Sequence, residues 1–402
     1  MLKGLPQGCA VAFEAIGDQG WNVLAGDTST PVAVLRDSAL VANLATMRGF
    51  CATHDVELAP HAKTHMSPQL CDRQLAAGAW GLTVAVPHQV EVLLRFGVRR
   101  VLVANEITDP AALRWLAGVL REEPELEILW YVDSVAGVRL VHNAFGGTPP
   151  RLLLEVGHPA GRTGVRTRDE AVAVAAAVAD AGWQLAGVAG YEGTIGHDRS
   201  PETRERVAAF LAFLRDTYVE LDDRGLLAVG PRVVTAGGSV HFDAVAEALA
   251  PLRARGAVVV LRSGCYLTHD HGVYERVSPT VEAAWPGDPL VGALEVWSRV
   301  LSRPEPQLAL LNLGRRDVGF DLGLPVPLRT ARDGRLRPVD GCEVTALGDQ
   351  HAWLRVPDAH DLAVGDLVGV GVSHPCTTFD KWPLLMLVDD AYDVVGGVRT
   401  YF

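Results

Sequence analysis

The sequence predicts an α/β fold, a (β/α)8 TIM-type barrel followed by a smaller, mostly antiparallel β domain. Three observations point there. Eight short apolar runs alternate with helix-like segments between residues 56 and 261, the rhythm and span of an eight-fold barrel. Beyond about residue 266 that rhythm gives way to short β-like runs broken by proline and glycine. Residues with unusual chemistry also fall just after apolar runs, where a barrel gathers its active site.

Residues 1–29 are weakly patterned, end in the turn-rich Asp27-Thr28-Ser29-Thr30-Pro31, and are expected to be extended and packed on the β domain. The barrel is expected over 30–266. Residues 31–35 read as a strand, after which Asp37 or Ser38 caps a helix with Leu40, Leu44 and Met47 on one face. The barrel runs are 56–59, 80–86, 100–104, 128–132, 151–156, 185–190, 232–235 and 257–261, apolar enough for parallel strands buried on both faces. Helix-like segments lie between them at 87–96, 110–121, 134–145, 168–181, 201–224 and 241–255. An open doubly wound sheet competes, but no GxGxxG follows the first strand. The β domain, 267–402, has runs at 308–313, 343–347, 352–356, 367–372 and 384–388. Turn clusters such as Asp333-Gly334 and Gly396-Gly397 separate several of them.

Composition excludes several function classes. A length of 402 residues suits one large barrel plus a module. A net charge of -12 with no basic run argues against a nucleic-acid partner. No window approaches the roughly 20 apolar residues needed to span a bilayer. The first twenty residues show no basic stretch leading into an apolar core, so no secretory signal is expected. The six cysteines are scattered without a CxxC pair, which fits reduced thiols in a cytoplasmic protein.

The first barrel strand ends in Pro60-His61-Ala62-Lys63-Thr64-His65. By itself this reads as an exposed loop lysine. A lysine fixed between a proline and two histidines, with its amine partly desolvated, is also how a Schiff-base lysine is activated. Later strand ends carry Gly161-Arg162-Thr163-Gly164-Val165, Tyr191-Glu192-Gly193, Gly237-Gly238-Ser239 and Ser263-Gly264-Cys265-Tyr266. Small-residue loops after strands seven and eight let backbone N–H groups approach a phosphate. Gly237-Gly238-Ser239 alone would be an ordinary tight turn, and the strand-eight loop is what favours the phosphate reading. Arg162 is a surface arginine or a guanidinium held against an anion or phenolate. A lysine, a phosphate cradle and an arginine at one barrel mouth suggest pyridoxal phosphate. In the β domain, Ser373-His374-Pro375-Cys376 offers an imidazole and a thiolate one residue apart. Two ligands are too few for a structural zinc site but suit an open catalytic one. His269-Asp270-His271 is a metal-like string that reads equally well as solvated loop, and it is left out of the metal site.

These residues together resemble the D-serine dehydratase / D-threonine aldolase-like pyridoxal-phosphate enzymes, built on an alanine-racemase-type barrel. The resemblance covers nearly the whole chain and rests on PHAKTH (60–65), GRTGV (161–165), the GGS and SGCY loops, and SHPCTTFDKW (373–382). It implies Lys63 as the Schiff-base lysine, with Tyr191, Gly237, Gly238, Ser239, Gly264 and Tyr266 around the cofactor, where Arg162 and the backbone of Cys265 are also expected. It implies His374 and Cys376 as ligands of Zn²⁺ or another divalent metal, a small D-amino acid as substrate, and a homodimer. Two positions depart from the family pattern: Met66 where a lysine is frequent, and Cys265 where asparagine is common, which leaves the backbone N–H there to serve a phosphate. The H-x-C pair looks like the dehydratase branch, since aldolases of the group more often carry H-x-D. The expected reaction is dehydration of a D-β-hydroxy amino acid such as D-serine or D-threonine to a 2-oxo acid and ammonia. Retro-aldol cleavage to glycine and an aldehyde is the nearest alternative. A racemase lacks a use for zinc, and a non-catalytic pyridoxal-phosphate carrier lacks one for the β domain.

Overall fold

The computed structural model describes residues 2–146 and 149–402. The chain forms two compact units: Arg48–Lys63 with Cys71–Gly264, and Met1–Met47 with Thr64–Leu70 and Cys265–Phe402.

The first unit is the barrel. Its parallel strands are Glu57–Leu58, Leu82–Val84, Arg100–Glu106, Glu127–Val132, Arg151–Val156, Gly187–Gly190, Arg232–Ala236 and Ala257–Leu261. Each of the eight runs read from the sequence overlaps one of them. The last strand pairs with the first through Glu57↔Val260. The ring closes between first and second through the bridge His61↔Thr83 and the bonds Trp80 N–H to Leu58 O, 2.8 Å, and Thr83 N–H to Pro60 O, 2.9 Å. Leu102, Leu129, Leu153, Val233 and Val260 form the interior core. Because strand side chains alternate in direction, residues two positions further on share their inward face. Four of those are Tyr131, Glu155, Thr235 and Arg262, so a polar layer lies above the apolar one at the C-terminal mouth.

Side-chain oxygens of Asp109, Ser134, Thr167 and Ser200 cap helices Pro110–Glu122, Val135–Phe145, Arg168–Asp180 and Pro201–Asp223. The helix expected over 241–255 is shorter: Phe242–Leu249 is α-helical and Ala250–Arg255 is a 3-10 segment. Pro251 has no N–H with which to continue the α-helical ladder.

The second unit is a mostly antiparallel sheet. Its main path runs Arg335–Arg337, Val326–Arg332, Leu367–Gly371, Leu294–Glu305, Val32–Arg36, Leu384–Val388, Val394–Arg399, with Leu308–Leu311, Ala352–Arg355 and Glu343–Leu347 branching from Leu294–Glu305. Val32–Arg36 pairs antiparallel with Leu294–Glu305 and parallel with Leu384–Val388. Residues 30–47 therefore lie outside the barrel that the sequence division gave them to. An apolar strand before a helix looks alike in either sheet, and only its pairing partners distinguish the two.

Gly396-Gly397, read as a turn, is instead inside Val394–Arg399, opposite Leu387 and Met386. A Cβ at Gly397 would stand 3.0 Å from Ile16 and 3.1 Å from Phe13, so glycine there admits the N-terminal 3-10 segment Phe13–Asp18. Leu2, Leu5, Val11 and Trp21 pack on the same core. Asp333-Gly334 is the two-residue turn expected, with positive φ at both positions, 52° and 73°. Among the described residues no helix is long and apolar enough to cross a membrane.

Candidate active site

At the barrel mouth, Lys63 sits on the one-turn 3-10 segment Ala62–Thr64, directly after the closing bridge at His61. The lysine is exposed, so the partial desolvation expected of its amine has to come from whatever binds over it. His61 is held neutral: burial and then the positive charges of Lys63, Arg262 and Arg162 push its pKa well down. Three cations thus converge on one end of the barrel, a field that attracts anions.

The strand-seven and strand-eight loops meet. Ser263 Oγ donates to Gly238 O at 3.0 Å. Gly237 has φ +111°, a conformation that disfavours any side chain. The amides of Gly237 and Gly238, expected to face a phosphate, instead donate to Glu192 Oε2 and Oε1 at 3.1 and 2.6 Å. Glu192 is fully buried, and its carboxylate fixes the loop as an internal anion. The next amides, those of Ser239 and Gly264, donate to no acceptor among the described residues. Two unpaired amides on adjoining loops, beside a cationic field, fit a phosphate group.

Arg162 lies with its guanidinium 4.7 Å from the Tyr191 ring centroid. Its loop is built around Arg166, which donates to the carbonyls of Arg162 at 2.6 Å, Thr163 at 2.8 Å and Gly164. A Cβ on Gly157 would strike that guanidinium, and Gly164, at φ +95°, donates its N–H to Asp133 Oδ2 at 3.0 Å.

Sequence reasoning missed three parts of this mouth. Arg262 is buried and donates to Thr235 Oγ1 and Gly190 O, both at 2.6 Å, with no carboxylate partner among the described residues. Glu192 is the second. The third is Glu106, Asp133 and Glu155, whose oxygens lie within 4.8 Å of one another. Both Glu106 oxygens and Glu155 Oε2 are buried without a partner. A proton shared between Glu106 and Glu155 would pair one oxygen of each. Burial, then the hydrogen bond to Glu155 and the charges of Glu155 and Asp133, push the Glu106 carboxyl up to about 9. The folded chain must hold a proton that the unfolded chain releases above 4.5, so this group's contribution to stability falls as pH rises through that window. Glu106→Gln is expected to stabilise the protein by roughly 1–2 kcal/mol at pH 8 and by little at pH 4. Thermal unfolding checks this, and a gain independent of pH would contradict it.

In the β unit, His374 Nδ1 bonds Asp321 Oδ2 at 2.6 Å, which leaves Nε2 for a metal. Asp321 Oδ1 also accepts from Thr377 Oγ1 at 2.7 Å. Cys376 opens the short helix Cys376–Phe379. The hydrogen bond from Cys265 holds its thiol well below the ordinary range, against burial and with further help from His374. Burial would lower the His374 pKa, but Cys376 and Asp321 carry it up to about 9. A metal takes the imidazole in its neutral form, so binding here would release the proton that the raised pKa holds on His374. Cys265 and Tyr266 are both buried in the turn Cys265–Leu267.

His269 and His271 are held neutral by burial, both at about 4. The carboxylate between them accepts from the N–H groups of Gly272, Tyr274 and Glu275. The structure thus gathers Lys63, Arg162, Tyr191, Gly237, Gly238, Ser239 and Gly264 at one barrel end, and Cys265, Tyr266, His374 and Cys376 in the β unit.

Comparison with known proteins places the chain in a class. Residues 36–228 match the alanine racemase N-terminal domain and residues 293–388 the putative serine dehydratase domain. The chain therefore has an alanine-racemase-like fold, with the serine-dehydratase-type module in its β unit. It is similar to the D-serine dehydratase / D-threonine aldolase-like lyases. A D-threonine aldolase from Arthrobacter sp. is 29% identical over 90% of this chain and 89% of its own. The D-threo-3-hydroxyaspartate dehydratase of Delftia sp. (strain HT23) is 28% identical over 60% of this chain and 61% of its own. The crystal structure of the D-threonine aldolase from Filomicrobium marinum superposes with TM-score 0.79 at 27% identity, covering 93% of this chain and 95% of that one.

Proposed function

We propose that this chain is a pyridoxal-phosphate- and divalent-metal-dependent dehydratase of D-β-hydroxy amino acids, releasing a 2-oxo acid and ammonia. The observation that carries the choice of reaction is the His374-x-Cys376 pair, with a thiolate where aldolases of this family more often have a carboxylate. Lys63 would carry the cofactor's aldehyde carbon, and the amides of Ser239 and Gly264 would hold its phosphate. Arg162, stacked on Tyr191, supports the phenolate side. When bound, pyridoxal phosphate supplies an electron sink for charge developing at Cα. His374 and Cys376 would hold Zn²⁺, whose Lewis acidity assists departure of the β-hydroxyl. The Lys63 amine would take the Cα proton. Loss of that proton and of hydroxide makes one water, and the released enamine takes up water to give oxo acid and ammonia.

Retro-aldol cleavage is favoured by one observation, the 29% identity to a D-threonine aldolase over most of both chains. It breaks Cα–Cβ after loss of the β-hydroxyl proton and uses the same lysine and metal. Product analysis with D-threonine separates the two: 2-oxobutyrate and ammonia, or glycine and acetaldehyde. The chain is also expected to pair as a homodimer, which light scattering on the full-length protein checks.

A further inference from the structure

The metal reading so far uses two protein donors. We propose that Cys265 is a third protein ligand, giving a Cys₂His centre with one position open to substrate or water. This rests on reading His374 and Cys376 as a metal pair.

Cys265 Sγ lies 3.6 Å from Cys376 Sγ. Two thiolates bound to one tetrahedral zinc, each at about 2.3 Å, stand about 3.8 Å apart. The sulfurs of a disulfide are only about 2.0 Å apart, and both cysteines are free. The pair is therefore spaced for a shared ion. Cys265 is fixed there, buried at the start of the turn Cys265–Leu267, with its carbonyl accepting from His269 N–H at 2.7 Å. Thr64 Oγ1 stands 3.5 Å from Cys376 Sγ and 4.0 Å from Cys265 Sγ, beside both sulfurs, where its hydroxyl supports thiolate charge.

His374 bonds Cys376 but places no ring nitrogen within 4.8 Å of both sulfurs. Among the described residues, the only three potential ligand atoms within 4.8 Å of one another belong to Glu106, Asp133 and Glu155. The sulfur pair is thus the preformed half of the centre, and loading draws His374 Nε2 toward it. Two thiolates and a neutral imidazole cancel the charge of a divalent ion. They also make the site soft, selecting Zn²⁺ or Co²⁺ over Mg²⁺ and Mn²⁺.

The test uses full-length protein loaded with Co²⁺, whose sulfur-to-metal charge-transfer absorbance grows with the number of bound thiolates. Cys265→Ser and Cys376→Ser should each remove about half of that absorbance, and Cys265→Ser should weaken Zn²⁺ binding at least ~10-fold. Cys265→Asn serves as a second variant, and retained pyridoxal-phosphate binding shows that each variant is folded. Wild-type absorbance and affinity in both Cys265 variants, with loss in Cys376→Ser, would overturn the third ligand and leave the His374–Cys376 pair standing. Wild-type protein that binds neither Co²⁺ nor Zn²⁺ would overturn both readings.

Discussion

Lys63→Ala protein is expected to lose turnover by at least ~10⁴-fold, because one residue both carries the cofactor and moves the Cα proton. It should still bind pyridoxal phosphate, weakly and without covalent attachment, since the phosphate contacts come from other loops. The measurement is borohydride reduction followed by peptide mass analysis. Wild-type chain should carry the reduced cofactor on Lys63 and the variant should carry none. Labelling of Lys3 or Lys381 in wild-type protein would remove Lys63 from its role. The exposed amine makes a second point: the closing bridge at His61 fixes its position, and the bound cofactor, not the fold, must exclude water around it.

The second large effect concerns the metal pair. His374→Ala and Cys376→Ala should each lower kcat on a D-β-hydroxy amino acid by about 10³-fold or more, while the absorbance of the Lys63-bound cofactor stays at the wild-type value. That division follows from the structure's layout, in which Lys63 and the phosphate-type loops belong to the barrel and the metal pair to the β unit. Metal analysis should find each variant depleted, and dialysis of the wild type against a chelator should reproduce the loss. Full activity with retained zinc in Cys376→Ala would sink the metal assignment.

Much of the barrel was legible because its strands are buried on both faces and appear as plain apolar runs. The site residues at their ends stood out for the same reason: Lys63 or Gly237 is conspicuous after such a run. The polar interior was not. Arg262, Glu155 and Thr235 each follow an inward-facing core residue by two positions, Val260, Leu153 and Val233, and that period-two spacing was the available signal. Glu192 was hidden because a carboxylate beside glycine amides looks like competition for a phosphate, whereas here it organises the loop that presents the next amides.

In the β unit, the twelve-residue strand Leu294–Glu305 escaped notice because Glu295 and Ser298 interrupt its apolar pattern. Both are buried, with Glu295 accepting from Trp297 Nε1 and Tyr392 Oη and Ser298 donating to Val368 O. A hydrogen-bonded polar core residue cannot be told from a surface one by composition. Nor does sequence reveal that Cys265 and Cys376, separated by 111 positions, bring their sulfurs together.

The most direct test of the account is product identification after incubating the pyridoxal-phosphate- and zinc-loaded protein with D-threonine, with D-3-hydroxyaspartate as a second substrate. Dehydration predicts 2-oxobutyrate from the first and oxaloacetate from the second, each with one equivalent of ammonia and no glycine. Glycine with acetaldehyde or glyoxylate, and no ammonia, would contradict it and make the chain an aldolase.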